Sequence, residues 1–430
     1  MSNRLARRSL PAGWETLPLG SVASRVTQRN NVGNRNVLTI SARDGLVNQE
    51  QFFSKRIASL DLSPYFLLAR GDFAYNKSYS AGYPVGVMRR LDRYSAGVVS
   101  PLYICFRPNS RLMNSDYLAH YFQAGLLDDD ISWIAKEGAR NHGLLNVSVN
   151  DFFSVPIRVP PLREQTYIAD ILSTTDETIR STERLMAKLE RVKQGLLHDL
   201  FTSGLDSNGR IRAGRSVTPS LYRNSPLGWT PVDWSIRLLD EVSERGSGHT
   251  PNKNIPSYWN GGIKWVSLAD SSKLDQIYIS ETDKEISELG IANSSAVIHR
   301  AGTVILSRDA GVGKSAILAH DMAVSQHFMA WACGELLDNR YLYYWLQFMK
   351  RRFEAIAMGS TIKTIGLPYF RRLSIALPGI DEQRAAVEQL LAAETTYIMH
   401  VKELEKQRLL KRGLMDDLLT GRVQWVPRRE

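Results

Sequence analysis

"VPPLREQTYIADILSTTDETIRSTERLMAKLERVKQGLLHDLFTSGL" (residues 159–205) returns later in the chain, without a gap, as "LPGIDEQRAAVEQLLAAETTYIMHVKELEKQRLLKRGLMDDLLTGRV" (residues 377–423). One constant shift carries Glu164 onto Glu382, Gln165 onto Gln383, Leu172 onto Leu390, Gly195 onto Gly413, Leu196 onto Leu414, Asp199 onto Asp417, Leu200 onto Leu418 and Thr202 onto Thr420. Each copy follows a proline that ends a short apolar run. Each then continues for about forty residues with no proline, rich in Leu, Glu, Lys, Arg and Ala, which predicts one long helix per copy.

The apolar spacing says how such helices are used. In the second copy Val387, Leu390, Glu394, Tyr397, Val401, Leu404, Arg408, Lys411, Met415 and Leu418 alternate by three and four. In the first, Leu172, Ile179 and Met186 mark a seven-residue row, with Ile168, Leu189, Leu196 and Leu200 beside it. This is an imperfect heptad seam with polar residues at several core positions. A helix near 60 Å long, at about 1.5 Å per residue, is too long to hide in one domain of the available size. The two are expected to pack on each other, with Leu172, Ile179, Met186, Leu196 and Leu200 facing Leu390, Tyr397, Leu404, Leu414 and Leu418.

The repeat extends upstream more weakly. Pro11, Gly13 and Trp14 align with Pro226, Gly228 and Trp229, "ARGDFAYNKS" with "HRAGTVILSR", "GVVSPLYICFRP" with "MAVSQHFMAWAC", and Tyr117-Leu118 with Tyr341-Leu342. Short apolar runs of strand length alternate with segments of helical spacing. The expected fold is α+β: two mixed α/β domains, residues 1–160 and 226–378, separated by long helices at 161–205 and 379–422, as a pseudo-two-fold internal repeat. Between them, 206–225 reads as an exposed basic linker carrying Arg210, Arg212, Arg215 and Arg223.

The formal net charge of +10 suits a polyanionic partner. No apolar run approaches 18 residues, so no membrane span is expected. Cys105 and Cys333 lie in apolar, strand-like contexts and read as buried, reduced thiols, which points to the cytoplasm. "SRDAGVGKSAILAHD", from Ser307, contains Gly-Val-Gly-Lys-Ser but is not a nucleotide loop: Arg308 stands where the phosphate-cradling pattern needs its first glycine, and a strand and turn follow rather than a long helix. There is no zinc-spaced Cys/His cluster, no amino-methyltransferase motif, and His320 and His327 read as a coincidence of spacing.

The doubled Pro-x-x-x-Glu-Gln start of a long helix, "GSGHTPNKNIPSYWNGGIKWVSLAD", and the Gly-Asp or Gly-Thr strand followed by "VGKSAI" together resemble the specificity (S) subunit of a type I restriction–modification system, over nearly the whole chain. The resemblance implies two target recognition domains, each reading one half of a split double-stranded DNA sequence, and two long helices packed antiparallel as a coiled-coil spacer. It implies two methyltransferase (M) subunits docked around those helices, with room for restriction (R) motor subunits. Adenine methylation with S-adenosylmethionine, and restriction with ATP and Mg, then belong to those partners, and this chain is non-catalytic. The second copy departs slightly, with "LPG" where the double proline is commoner. The residues themselves leave open a two-headed DNA-binding protein that acts without a methyltransferase partner.

Affinity for DNA comes mainly from Lys and Arg on phosphates, and specificity from base edges in the grooves. The loops suited to this in the first half carry Lys77, Ser78 and Tyr79, Arg89 and Arg90, and Lys136, Arg140, Asn141 and His142. In the second half they carry Arg245, His249, Thr250 and Lys253, Arg308 and Lys314, and Ser360, Thr361 and Lys363.

Overall fold

The computed structural model describes residues 10–41, 44–55, 58–78, 83–135, 145–359 and 363–424. The chain divides into two compact units. One runs to Glu183 and resumes at Lys402, and the other is Arg184–Val401. The two long helices, Leu162–Thr202 and Ile380–Leu419, are each shared between the units.

The first unit is built on a four-stranded antiparallel sheet in the order Ala23–Arg25, Ile104–Pro108, Phe73–Asn76, Val87–Arg90. Helix Ser115–Gln123 buries Tyr117, Leu118 and Tyr121. The second unit repeats that order with Ser243–Ser247, Phe328–Cys333, Val304–Ser307 and Ser315–Leu318, and adds Tyr278–Ile279 in parallel at the edge. Helix Asn339–Ile356 takes the place of Ser115–Gln123. A second, four-stranded sheet around Trp259–Val266 enlarges this unit. Its first-unit counterparts are two separate strand pairs, Leu38–Ser41 with Gly45–Asn48 and Phe66–Ala69 with Ala96–Val99.

The Glu-Gln pair explains why each long helix starts where it does. Gln165 is fully buried. Its Nε2 donates to the Pro160 and Leu112 carbonyls at 2.8 and 3.0 Å, and its Oε1 accepts the Asn114 N–H at 2.7 Å. Gln383, also fully buried, repeats all three bonds with Pro378, Leu336 and Asp338 at 2.9, 2.9 and 3.0 Å. Asn114 and Asp338 are themselves N-caps, each accepting two N–H groups of the globular helix that follows. One buried amide therefore locks two helix starts together. The preceding Glu holds an indole: Trp14 Nε1 donates to Glu164 at 3.0 Å, and Trp234 Nε1 to Glu382 at 3.3 Å.

This geometry corrects one alignment. Trp14 stands just before strand Glu15–Pro18, which pairs with Pro156–Val159, and Trp234 stands just before Ser235–Leu238, which pairs with Ser374–Leu377. The counterpart of Trp14 is thus Trp234, not Trp229. Trp229 sits in an extra strand, Gly228–Pro231, under the Arg215 guanidinium at 3.6 Å. The basic segment before it is exposed, as its composition suggests, yet Arg212, Arg215 and Arg223 are engaged. Arg212 pairs with Glu382 and Asp233 at 3.0 and 2.7 Å, and Arg223 donates to the Trp234 carbonyl at 2.5 Å. Burial nevertheless pushes the Glu382 carboxyl above its usual value, against the pull of the Leu205 N–H and Arg212.

Each unit completes its core with the start of one long helix and the end of the other. Ile168, Ala169 and Leu172 join Leu418 and Leu419 in the first unit, while Ala386, Val387 and Leu390 join Leu197, Leu200 and Phe201 in the second. Gly421 (φ +74°) and Gly204 (φ +69°) end the helices in the left-handed conformation. A Cβ on Gly421 would meet Pro11 and come up against Trp14, and one on Gly204 would strike Trp234 and Glu382.

The helices pack antiparallel through an ion pair that also repeats. In the first unit Lys411 meets Asp176 at 2.5 Å and Arg408 meets Glu183 at 2.6 Å; in the second Lys193 meets Glu394 at 3.0 Å. The shift that relates Glu164 to Glu382 relates Lys193 to Lys411 and Asp176 to Glu394. The globular helix joins in both units. Tyr344 donates to Glu394 at 2.6 Å, and the buried His120 lies 3.8 Å from Asp176 and 3.0 Å from the Ser173 hydroxyl. Burial and the neighbouring carboxylate push the Tyr344 phenol well up, so it keeps its proton and donates. Of the expected packing residues, Leu172, Ile179, Leu200, Leu390, Leu404 and Leu418 are buried, and Met186, Leu196, Tyr397 and Leu414 are half-buried. Arg408, read as a seam position, is exposed at the rim.

Lys193 and Glu394 are not fully dry, at 22 % and 13 % side-chain exposure, so removing one partner should cost less than in a sealed core. Lys193→Ala is expected to lower stability by about 2 kcal/mol, while Lys193→Leu with Glu394→Leu recovers most of the loss. Chemical denaturation of the single and double variants checks this, and a double variant no more stable than the single would contradict it.

Candidate nucleic-acid interface

The strand registers of the second unit gather four segments at one end of the five-stranded sheet. Ser247 faces Met329, Ser307 faces Phe328, and Leu306 faces Ser315. The chain therefore leaves Ser247 and Ser307, and arrives at Phe328 and Ser315, at the same edge. The fourth segment follows helix Asn339–Ile356, where Thr364 bridges to both Met358 and Asp309. Backbone bonds fasten these segments: Arg308 N–H to the His327 carbonyl at 2.9 Å, Ile365 N–H to the Arg308 carbonyl at 3.0 Å, and His249 N–H to the Val324 carbonyl at 3.1 Å. Gly248 lies so close to that carbonyl that a Cβ would stand 1.7 Å from its oxygen, so only glycine lets the loop cross there.

The Gly-Val-Gly-Lys-Ser sequence is part of this edge, and its residues are spent on structure. The segment after it forms strands Ser315–Leu318 and Met322–Val324, as read from the sequence. Lys314 Nζ donates to the Ser271 carbonyl at 2.8 Å. Ser315 is fully buried, its hydroxyl accepting from Gln347 at 2.7 Å. Gly313 (φ +88°) lies against Lys350, which pairs with Asp275 at 2.5 Å. A phosphate held by Lys314 and Ser315 would have to displace their bonds to Ser271 and Gln347.

A connected chain of side chains crosses the same edge. Thr250 Oγ1 donates to Gln326 Oε1 at 2.5 Å, Gln326 Nε2 lies 3.3 Å from His327 Nε2, and His327 Nδ1 lies 2.8 Å from Asp309 Oδ2. Asp309 also accepts the Thr364 hydroxyl and has Arg308 Nε at 3.6 Å. Gln326, His249, Lys253 and Lys363 are exposed. The second-half candidates His249, Thr250, Arg308, Lys314 and Lys363 thus share one edge, while Lys253 is exposed in the chain beyond Thr250. Arg245 does not: it sits mid-strand opposite Trp331, paired with Asp240 at 3.0 Å. Ser360 and Thr361 lie outside the described residues.

In the first unit the equivalent edge lies after Asn76 and before Val87. Lys77 and Ser78 are there, Lys77 Nζ reaching the Val147 carbonyl at 3.4 Å and the Ser78 N–H donating to Asn76 at 3.1 Å. Arg90 is at the opposite end of its strand, bound to Asp92 and Asp116, each at 2.6 Å, and to Ser115 at 3.0 Å. Arg89, beside it, is half-buried, and burial pulls its guanidinium below the ordinary value. Tyr79, Lys136, Arg140, Asn141 and His142 lie outside the described residues.

Among the described residues no cluster of His, Cys, Asp and Glu could hold a metal ion, and no helix is long and apolar enough to cross a membrane. Burial pushes both thiols, Cys105 and Cys333, up to about 12. The sequence reading missed Gln326 and Asp309 and set His327 aside. Their significance lies in bonds that join distant segments, and spacing along the chain carries no trace of those.

Comparison with known proteins agrees with this architecture. The family model for the type I restriction modification DNA specificity domain matches residues 71–191 and 231–407. The type I restriction enzyme MjaVIII specificity subunit of Methanocaldococcus jannaschii is 23% identical over 338 residues, 76% of this chain and 75% of its own length. The HindI specificity subunit of Haemophilus influenzae is 19% identical over 420 residues, 85% of this chain and 90% of its own. A chain from a structural study of type I R-M complex assembly and conformational transition superposes with a TM-score of 0.60 at 17% identity, covering 97% of this chain and 100% of that one. The type I system S subunit from M. genitalium gives 0.52 at 12% identity, covering 96% and 97%. At such identities the structural likeness speaks for the fold.

If the 307–314 loop is a structural part of this edge, the chain should bind no nucleotide through it. Titration with ATP and Mg is expected to show no saturable binding to the full chain. Stoichiometric binding that disappears in Lys314→Ala would contradict the reading.

Proposed function

From the premise that this chain belongs to the family of type I restriction modification DNA specificity domains, whose subunits recognise a DNA target sequence and are not themselves catalytic, we propose how it divides that work. Each unit reads one half of a split double-stranded target, with the sheet edge after Asn76 in the first and after Ser307 in the second facing the bases. The observation that carries this is the repetition: the same four strands in the same order are keyed to the same helix start by the same buried glutamine.

The long helices serve as spacer and dock. A helix pair fixes about 1.5 Å per residue along its length, and half-sites about one DNA turn, ~34–36 Å, apart suit two similar readers. Two methyltransferase subunits dock around the helices, and restriction motor subunits join that assembly. Support for docking comes from apolar groups left in solvent: Val192 and Leu410, equivalent under the repeat, are 53% and 57% exposed, and Leu409 is 65% exposed. Beside Leu409 a groove of about 830 Å³ runs between Gln123–Leu126 and the 408–416 stretch of the second long helix. The methyl donor, S-adenosylmethionine, and the ATP and Mg of restriction belong to the partners.

Domain exchange tests the division of labour. Replacing residues 226–376 with another recognition domain, in cells carrying the methyltransferase partner, is expected to change one half of the methylated sequence and leave the other intact. Both halves changing together would contradict two independent readers.

A further inference from the structure

Gln326 is exposed on the short turn between strands Met322–Val324 and Phe328–Cys333, at the edge proposed to face DNA. An exposed glutamine ordinarily turns freely, and its oxygen and nitrogen are interchangeable to a ligand. Here its neighbours settle both questions. Asp309 is a carboxylate, which only accepts, so the ring nitrogen 2.8 Å away, His327 Nδ1, must carry the proton. With Nδ1 donating to Asp309 and Nε2 accepting, the ring faces the NH₂ of Gln326 at 3.3 Å. The Oε1 is left on the other side, where the Thr250 hydroxyl donates to it at 2.5 Å. Asp309 in turn is held by the Thr364 hydroxyl.

A primary amide has two N–H donors and two acceptor lone pairs. The internal chain uses one of each. What remains is one N–H and one lone pair, in the plane of the amide. The major-groove edge of adenine offers the complement, an N7 acceptor beside an N6–H donor. Guanine presents two acceptors there, cytosine a single donor, and thymine an acceptor and a methyl group, so each leaves one half of the amide unmatched.

We propose that Gln326 is a specificity-determining residue that reads an adenine in the half-site of the second unit, with His327, Asp309, Thr364 and Thr250 as the positioning groups that fix its amide. This rests on the DNA-reading function proposed above. Holding the amide in one orientation before DNA arrives removes part of the ordering cost of a long side chain.

The test is selection by the full-length chain from duplexes randomised on both sides of a gap, for wild type, Gln326→Ala, Gln326→Glu and His327→Ala, with thermal melting to check folding. Wild type is expected to enrich a split sequence containing an adenine that Gln326→Ala no longer prefers, discrimination at that one position falling about 5- to 100-fold. Gln326→Glu, nearly isosteric but without the donor, is expected to move the preference there toward cytosine, whose amino group a carboxylate accepts. His327→Ala should keep the preference for adenine and weaken it. A folded Gln326→Ala chain that enriches the same bases equally well, or loses affinity uniformly for all sequences, overturns the adenine assignment and leaves DNA reading standing. A wild-type chain that enriches no split sequence overturns the DNA-reading function itself.

Discussion

A buried glutamine amide, used twice, is the constraint on which the rest of the structure depends. Gln165 and Gln383 each satisfy two carbonyls and one N–H, of which the Pro160 and Pro378 carbonyls are bound in a buried setting where a lost partner costs about 1–3 kcal/mol. By doing so they join three things: the proline turn that starts a long helix, the loop before a globular helix, and the cap of that helix. An apolar residue could make none of these bonds and would leave the proline carbonyl buried and unpaired. The position of each recognition domain on its rod follows from that junction.

The cross-helix pairs extend the same logic along the rods. Lys193 with Glu394 and Lys411 with Asp176 occupy equivalent places, and in each the globular helix contributes a further polar group, Tyr344 or His120. Half-buried charge of this kind adds little net stability, but a slip of the helices by one turn would leave every member stranded. Register is what such groups specify well. A register fixed twice suits the spacer role proposed for the helices, and the edges proposed to face DNA carry loops fastened to a rigid sheet.

The repeat, the two long helices and their seam were legible because they rest on spacing: a constant shift, an absence of proline, an alternation by three and four. The rejection of a nucleotide loop at Gly311–Ser315 was legible for a similar reason, since Arg308 stands at a position the motif forbids. Three features were not. Trp229 imitates Trp14 through a shared Pro-x-Gly-Trp pattern, while the true counterpart, Trp234, is identified only by its bond to Glu382. Arg90 and Arg245 look like free cations in the sequence and are held by acids, Asp116 and Asp240, that the fold brings to them. The Thr250–Gln326–His327–Asp309–Thr364 chain draws on four separate segments, and nothing local in any of them announces the others.

The central claim is that two equivalent units are each keyed to a long helix by one buried amide. Hydrogen–deuterium exchange on Gln383→Ala addresses it most directly. The account predicts lost protection at the starts of the two helices that Gln383 joins, around residues 338–342 and 383–388, with the matching segments around 114–118 and 165–170 as protected as in wild type. Unchanged protection around 338–342, or equal loss in both units, would contradict it.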